Sequence, residues 1–430
     1  MKKKVLIISY SYPPSNAPAA QRPYALTKYL NKNEFQVTVL ICGNSDSSLG
    51  YNDNFDSHIE DVNLIKIDGY LGQKASKFRE ATMVGSKSVG NKLKGFLFNF
   101  ISSLIIPDKG IFWFPKLKKY IDQNIDIEKD FDIVFTTSPS FTNHLMGRYI
   151  KNKAGERVKW FAEFRDFHAL EKDMKNIKHR INKYLESSVI SKADKISFIS
   201  KSMCHIYALH YKNHDHKFSI VYNGFDLADF AKLPIQEVVN NKLTIFYAGS
   251  FYKGVRSPMP LLQILDALLS QDKISLNEIQ INIAGNFEED IIAEAQKYKS
   301  FQVIDFIGKI SRSEVLERLV RSDLLWLIVG DSPTHYTGVP IKLFEYIGAR
   351  RPIINFAPAN SEPSFIIQQH RLGWNFNTSP FNILEAAEIF ENIIENHRNK
   401  SLSTPLEFKK INEFDRQYQG EIFGNLFNLM

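Results

Sequence analysis

Residues 338–356 read GVPIKLFEYIGARRPIINF. Proline lacks the N–H that the first turn of a helix leaves unbonded, and its φ is already helical, so Pro340 marks a helix start. Leu343, Tyr346 and Ile347 are spaced to share one face and to pack it against a sheet. Glu345 then falls on another face. An apolar strand follows at 352–356. A helix that hands over to a short apolar strand is the unit from which parallel α/β sheets are wound.

The same alternation extends outward. Strand-like runs occur at 243–248, 280–284, 301–307 and 324–329, and an earlier series lies at 5–10, 36–42, 63–68, 132–137, 158–163, 195–199 and 218–222. They are short, rich in Val, Ile and Phe, and mostly apolar on both faces, the pattern of strands covered on both sides. Helical stretches lie between them, such as 21–30, with Leu26, Tyr29 and Leu30 on one face. The alternation pauses at 223–242, where Asn223-Gly224, Pro234 and Asn240-Asn241-Lys242 are turn and connection signals. Two βα series predict two doubly wound, Rossmann-like domains facing across a cleft, with ligands at the carboxyl ends of the strands. We place the domains at 1–235 and 236–411, with a C-terminal helix at about 412–430 packing back on the first.

The bulk numbers narrow the function. The chain has 430 residues, 44% hydrophobic and 23% charged, the balance of a soluble globular protein. Its net charge of +7 comes from 54 Lys+Arg against 47 Asp+Glu, spread along the sequence rather than gathered in a stripe, so nucleic acid is not an expected partner. Cys42 and Cys204 are too few for a disulfide framework or a four-ligand zinc site. The N-terminal Lys2-Lys3-Lys4 precedes only a short apolar run before Pro13-Pro14, where a signal sequence needs ~7–15 apolar residues. No run approaches the ~20 residues of a membrane span, so a cytoplasmic location is expected. Residues 92–106, KLKGFLFNFISSLII, leave two readings open. Basic flanks around an apolar centre suit a membrane interface at the inner face; burial within the first domain is the alternative.

Several strand ends carry candidate chemistry. The loop at 9–18, SYSYPPSNAP, lacks the G-x-G-x-x-G of nicotinamide enzymes. Thr137-Ser138-Pro139-Ser140 opens a helix whose free N–H groups suit anions or hydroxyls, and His144 just inside it is either an acceptor contact or a packing residue. Arg165-Asp166 ends the run FAEFRD: a guanidinium can neutralise developing charge, and a carboxylate can take a proton or orient a hydroxyl. The alternative is an Arg–Asp brace for the loop. The second series opens with IFYAGSFYKGVRSP, in which Gly249 permits close backbone approach and Lys253 and Arg256 supply positive charge suited to a diphosphate. Asp130-Phe131-Asp132 imitates a metal-binding D-x-D but precedes a strand, and no His/Cys/Asp cluster has metal spacing, so no metal is expected.

These stretches resemble family-4 glycosyltransferases of GT-B architecture, especially those of bacterial surface-polysaccharide synthesis. The opening YPPSNAPAAQRPYALTKYL and FQVTVLI are similar to that family's first loop, helix and second strand, with Arg22 at its Arg position and Ala17, Ala19 and Ala20 in place of its usual glycines. FDIVFTTSPSFTN, FAEFRDFH, IVYNGFD, the AGS…K…R loop and FIGK with Glu314-Val315 resemble further family segments. The most specific match is GVPIKLFEYIGARRPII. The resemblance implies that Glu345 binds the donor ribose, and that Lys253, Arg256 and Lys342 serve the diphosphate beside Gly249. It implies also that Arg165 and Asp166 face the reacting sugar, and that Arg22 and His144 lie on the acceptor side. Many members carry another Glu eight positions before the ribose Glu; here that place holds Thr337.

The expected function is transfer of a hexosyl group, with retention, from a UDP- or GDP-sugar to a glycan or polyprenyl-diphosphate-linked acceptor. No cofactor is expected, since the nucleotide sugar enters as co-substrate. A membrane surface is a candidate partner. A nucleotide-sugar epimerase, or a catalytically silent subunit that binds such a nucleotide, are the rival readings, and Thr337 favours the second of them.

Overall fold

The computed structural model describes residues 1–15, 17–45, 59, 61–70, 105–170, 176–233, 241–402 and 411–430. Up to residue 104, the apolar segment at 92–106 lies outside the described residues. The chain forms two compact units: Met1–Tyr222 with Arg416–Met430, and Asn223–Asp415.

The first unit is built on a seven-stranded sheet in the order β3-β2-β1-β4-β5-β6-β7. Its strands are β1 (Lys3–Ser9), β2 (Phe35–Cys42), β3 (Val62–Ile67), β4 (Ile133–Thr137), β5 (Lys159–Phe164), β6 (Lys195–Phe198) and β7 (Phe218–Ile220). Every pairing is parallel. Successive side chains of a strand point to opposite faces, and both faces of β1 are covered. Leu6 and Ile8 join one core cluster, with Trp113, Met146 and Trp160. Val5 and Ile7 join another, with Phe35, Phe135, Phe423 and Phe427. That second face is covered in part by the C-terminal helix Arg416–Asn428, whose Phe423 and Phe427 meet Phe135 and Phe161 at centroid separations of 5.5 Å. Gly420 lets this helix close on the helix Pro18–Tyr29: a Cβ there would stand 2.7 Å from the carbonyl oxygen of Tyr29.

The second unit has a six-stranded sheet in the order β10-β9-β8-β11-β12-β13. Its strands are β8 (Leu243–Ala248), β9 (Ile279–Ala284), β10 (Ile304–Gly308), β11 (Leu324–Ile328), β12 (Ile353–Ala357) and β13 (Gly373–Asn377), again all parallel. In each sheet the strand order reverses beside the first strand of the series, between β1 and β4 and between β8 and β11. Ligands of such sheets bind at the carboxyl ends on either side of that reversal.

Two sequence expectations are corrected, and one strand is added. Asn223-Gly224 opens the second unit rather than sitting inside a first domain that runs to 235. Phe225 donates its N–H to the Phe414 carbonyl at 2.9 Å, and Gly348 leaves room for the rings of Phe225 and Phe230. The run expected as a strand at 301–307 begins as the 3-10 turn Lys299–Val303, so β10 starts only at Ile304. Strand β13, GWNFN, was not anticipated.

Candidate functional site

At the end of β8 the backbone turns through Gly249, whose φ of +156° is a conformation that favours glycine. Its N–H is bonded to the Ala284 carbonyl at 2.8 Å. Gly285, at φ +154°, follows β9 in the same way, and a Cβ on it would lie 2.0 Å from the Gly249 oxygen. The two strand ends therefore approach closely only as a glycine pair. A Cβ on Gly249 would stand 2.3 Å from Lys342 Nζ, so this bare backbone borders a cation directly.

Lys342 comes from the helix Ile341–Ala349, capped by Pro340. Leu343, Phe344, Tyr346 and Ile347 are buried, as the apolar spacing requires. The Tyr346 hydroxyl donates to the Trp326 carbonyl at 3.0 Å and accepts from Ala248 N–H at 3.4 Å, which fixes the helix to β11 and to the end of β8. Lys342 Nζ lies 4.5 Å from the centroid of the Tyr247 ring, and it is buried with no hydrogen-bond partner. Arg256 Nε is likewise buried without one. Arg256 is brought back to this place by a tight turn in which Tyr252 and Arg256 exchange backbone hydrogen bonds of 3.1 and 2.9 Å. Burial first, and then the Arg256 charge, pull the Lys342 amine down to about 7 against the opposing charge of Glu345. A buried donor without an acceptor is costly, and two at one strand end suit an anion.

Glu345 lies one turn beyond Lys342. Its Oε1 accepts from Arg312 Nη1 at 2.5 Å, and Arg312 Nη2 reaches Asp229 at 2.9 Å. Burial lowers the Arg312 pKa, but Glu345 and Asp229 outweigh it and the net shift is upward. The carboxylate expected for ribose is thus already oriented by an arginine that the sequence reading did not select. The available signal was its place in the first turn after β10, next to the Ser311 helix cap. Thr337 is buried, at 6% exposure.

The structure separates Lys253 from this group. Its side chain is 78% exposed and pairs with Asp290 at 3.2 Å.

The expected residues of the first unit sit differently. Glu163, fully buried on β5, lies under two arginines: Arg22 Nε at 3.1 Å and Arg165 Nε at 3.8 Å. Thr137 donates to its other oxygen at 2.7 Å. Arg22 also donates to Gln419 at 2.6 Å, to Val221 O at 3.1 Å and to the Tyr222 carbonyl. Burial pulls its pKa to about 10 against the Glu163 charge. Arg22 is therefore a structural residue with its guanidinium occupied, not an acceptor contact. Arg165 donates to Ser138 O at 2.7 Å and Ala19 O at 3.0 Å, tying the turns after β4 and β5 to the start of the helix Pro18–Tyr29. Its neighbour Asp166 is exposed.

For His144 the packing alternative holds. It is fully buried, bonded through Nδ1 to Thr136 Oγ1 at 2.8 Å and stacked on Phe164 with a centroid separation of 4.7 Å. Burial, then the positive neighbours His168 and Arg165, push its pKa down to about 3. A neutral ring packed in the core leaves an acceptor no access. Asp132 and Asp130 accept from the backbone N–H groups of Lys4 and Asp126, at 2.8 and 2.9 Å. Among the described residues no cluster of His, Cys, Asp or Glu is arranged to hold a metal ion.

No protein-family model matches the chain, and no curated protein matches it either. Solved structures do. "Trehalose-6-phosphate from E. coli bound with UDP-2-fluoro glucose" aligns with a TM-score of 0.64 at 11% identity, covering 100% of this chain and 99% of that one. A glycosyltransferase from Rickettsia africae ESF-5 aligns at 0.57 and 15%, covering 99% and 98%. A putative UDP-N-acetylglucosamine 2-epimerase from Listeria monocytogenes aligns at 0.55 and 13%, covering 100% and 98%. At these identities the likeness concerns the fold, and the fold of this chain is α/β with two Rossmann-like domains of the GT-B type.

Proposed function

We propose that the protein is a glycosyltransferase that takes a hexosyl group, with retention, from a UDP- or GDP-sugar. The acceptor is a glycan or polyprenyl-diphosphate-linked sugar of cell-surface polysaccharide synthesis. The observation that carries the reading is the unpartnered Lys342 Nζ beside Arg256 Nε at the glycine-lined end of β8. A nucleoside diphosphate supplies the acceptor oxygens that both cations lack. Negative charge builds on that diphosphate as the bond to the sugar breaks, and fixed cations at its position stabilise the transition state more than the ground state. The Glu345 oxygen not bonded to Arg312 accepts from a ribose hydroxyl. Asp166, exposed at the end of β5, is the group available to an acceptor hydroxyl, and Arg165 is the positioning residue that fixes its loop.

Calorimetry tests the phosphate assignment. UDP or GDP should bind far more tightly than uridine or guanosine, and a chelator should leave binding and turnover unchanged. Equal affinity for nucleoside and nucleotide would sink the reading. The Listeria likeness keeps an epimerase in view. Incubation with UDP- or GDP-sugars separates the cases: a transferase releases the nucleotide slowly even without acceptor, an epimerase yields an epimeric nucleotide sugar with no net release of nucleotide, and a silent subunit binds without turnover.

A further inference from the structure

The helix Ile177–Lys192 of the first unit has an inner face that is buried as expected, with Glu186, Val189 and Ile190. Its outer face is the exception. Ile177 is 69% exposed, Ile181 38% and Tyr184 70%. These positions are i, i+4 and i+7, so three large apolar side chains stand in one row facing solvent. Scattered surface hydrophobics are ordinary; a row at helical spacing is a patch. Arg180 and Lys183 are exposed beside it, and Lys178 lies on its other flank. The one acidic residue of this helix, Glu186, faces inward, where it accepts from the hydroxyls of Tyr207 and Tyr211 and from Ala169 N–H, each at 2.9 Å. Among the described residues of this helix, the outer face therefore carries positive charge and apolar side chains and no carboxylate.

We propose that this face docks the protein on an anionic lipid surface. Isoleucine and tyrosine enter the headgroup region, where an aromatic ring with a polar tip is well placed, and long basic side chains at the rim reach lipid phosphates. The chemistry favours a bilayer over a protein partner: no carboxylate on the face sets a register, and the apolar positions form a ridge rather than a groove. Among the described residues no helix is long and apolar enough to cross a membrane, so the contact is one of adsorption. The surface belongs to the first unit and does not depend on the transferase reading.

Flotation of the full chain with vesicles tests it. Wild-type protein should float with phosphatidylglycerol-containing vesicles, stay behind with phosphatidylcholine alone, and be released by high salt. A variant with Ile177→Ser, Ile181→Ser and Tyr184→Ser should lose about tenfold or more of the bound fraction while keeping its UDP or GDP affinity. A second variant, Arg180→Glu with Lys183→Glu, should lose binding comparably and decides the matter if the first misfolds. The proposal is overturned if wild type stays soluble, if it floats equally well with neutral vesicles, or if the folded variants float like wild type. It is overturned equally if the serine variant abolishes only a concentration-dependent dimer, which would assign the face to a second copy of the chain.

Discussion

Both units place cations at the carboxyl ends of parallel strands beside the reversal of strand order, yet the two groups differ in one respect. In the first unit, Arg22 and Arg165 are bonded to a buried carboxylate, a side-chain amide and backbone carbonyls. In the second, Lys342 Nζ and Arg256 Nε are buried with no acceptor at all. Residue type and strand position alone would rank them equally. Ion pairing tells them apart: Arg22 Nε faces the Glu163 carboxylate at 3.1 Å, whereas Lys342 Nζ and Arg256 Nε have neither a hydrogen-bond acceptor nor a carboxylate at that distance.

Removing the acceptor from the first group should have the largest effect. Glu163→Ala leaves Arg22 buried without its counter-charge, and breaking a buried pair from one side costs about 3–5 kcal/mol. Chemical denaturation should show that loss, and a loss below about 1 kcal/mol would mean the network is not integral to the fold.

Removing a cation from the second group should act on binding. Lys342→Met should weaken UDP or GDP by about 1.5–3 kcal/mol, the range for hydrogen bonds to charged groups, without lowering stability. Wild-type Lys342 has a folded pKa of about 7 against an ordinary 10.5, so the unfolded chain holds its proton more tightly than the folded one. The resulting penalty is complete below about pH 7 and fades as pH rises toward 10.5. The variant should thus be more stable than wild type below pH 7, and the gap should close in alkaline solution. Diphosphate binding at pH 8 should also take up a proton, visible as a binding enthalpy that changes with the buffer's ionisation enthalpy. A variant that loses stability and keeps its affinity would reverse the comparison.

Lys253→Ala should do least. Its ammonium is exposed and paired at the surface with Asp290, and such pairs contribute little. Titration should give a UDP or GDP affinity within about twofold of wild type. A tenfold loss would restore Lys253 to the phosphate group.

The fold was legible where strands are covered on both faces. β1, β8 and β12 read as mostly apolar runs because helices lie on either side of the sheet. β13 escaped notice because its polar Asn375 is satisfied by neighbouring elements: it accepts from Asn355 of β12 at 2.9 Å and donates to the Ser364 carbonyl at 3.0 Å. Polar residues that satisfy one another look in a sequence like a loop. For the candidate site, Gly249, Arg256, Lys342 and Glu345 come from segments whose local pattern is distinctive, and they meet. What no spacing conveys is which charges are already taken. Glu163 reads as one polar residue in an apolar run, and its two arginines arrive from positions 22 and 165. Arg312 reaches Glu345 across 33 residues, and His144 turned out to be a packed ring because Phe164 lies over it.

The return of Arg416–Asn428 to the first unit has a consequence for how the chain is made. The core around Phe135 and Phe161 lacks Phe423 and Phe427 until the second unit, residues 223–415, has been synthesised. At ~5–20 residues per second that interval is on the order of ten to forty seconds. During it the emerging first unit carries an uncovered apolar face on its sheet, open to chaperones and proteases. Ribosome-bound chains stalled short of residue 416 should be cleaved within the first unit by protease, and chains extended past 430 by a linker should resist. A helix made after the whole second unit closes the first core that was begun.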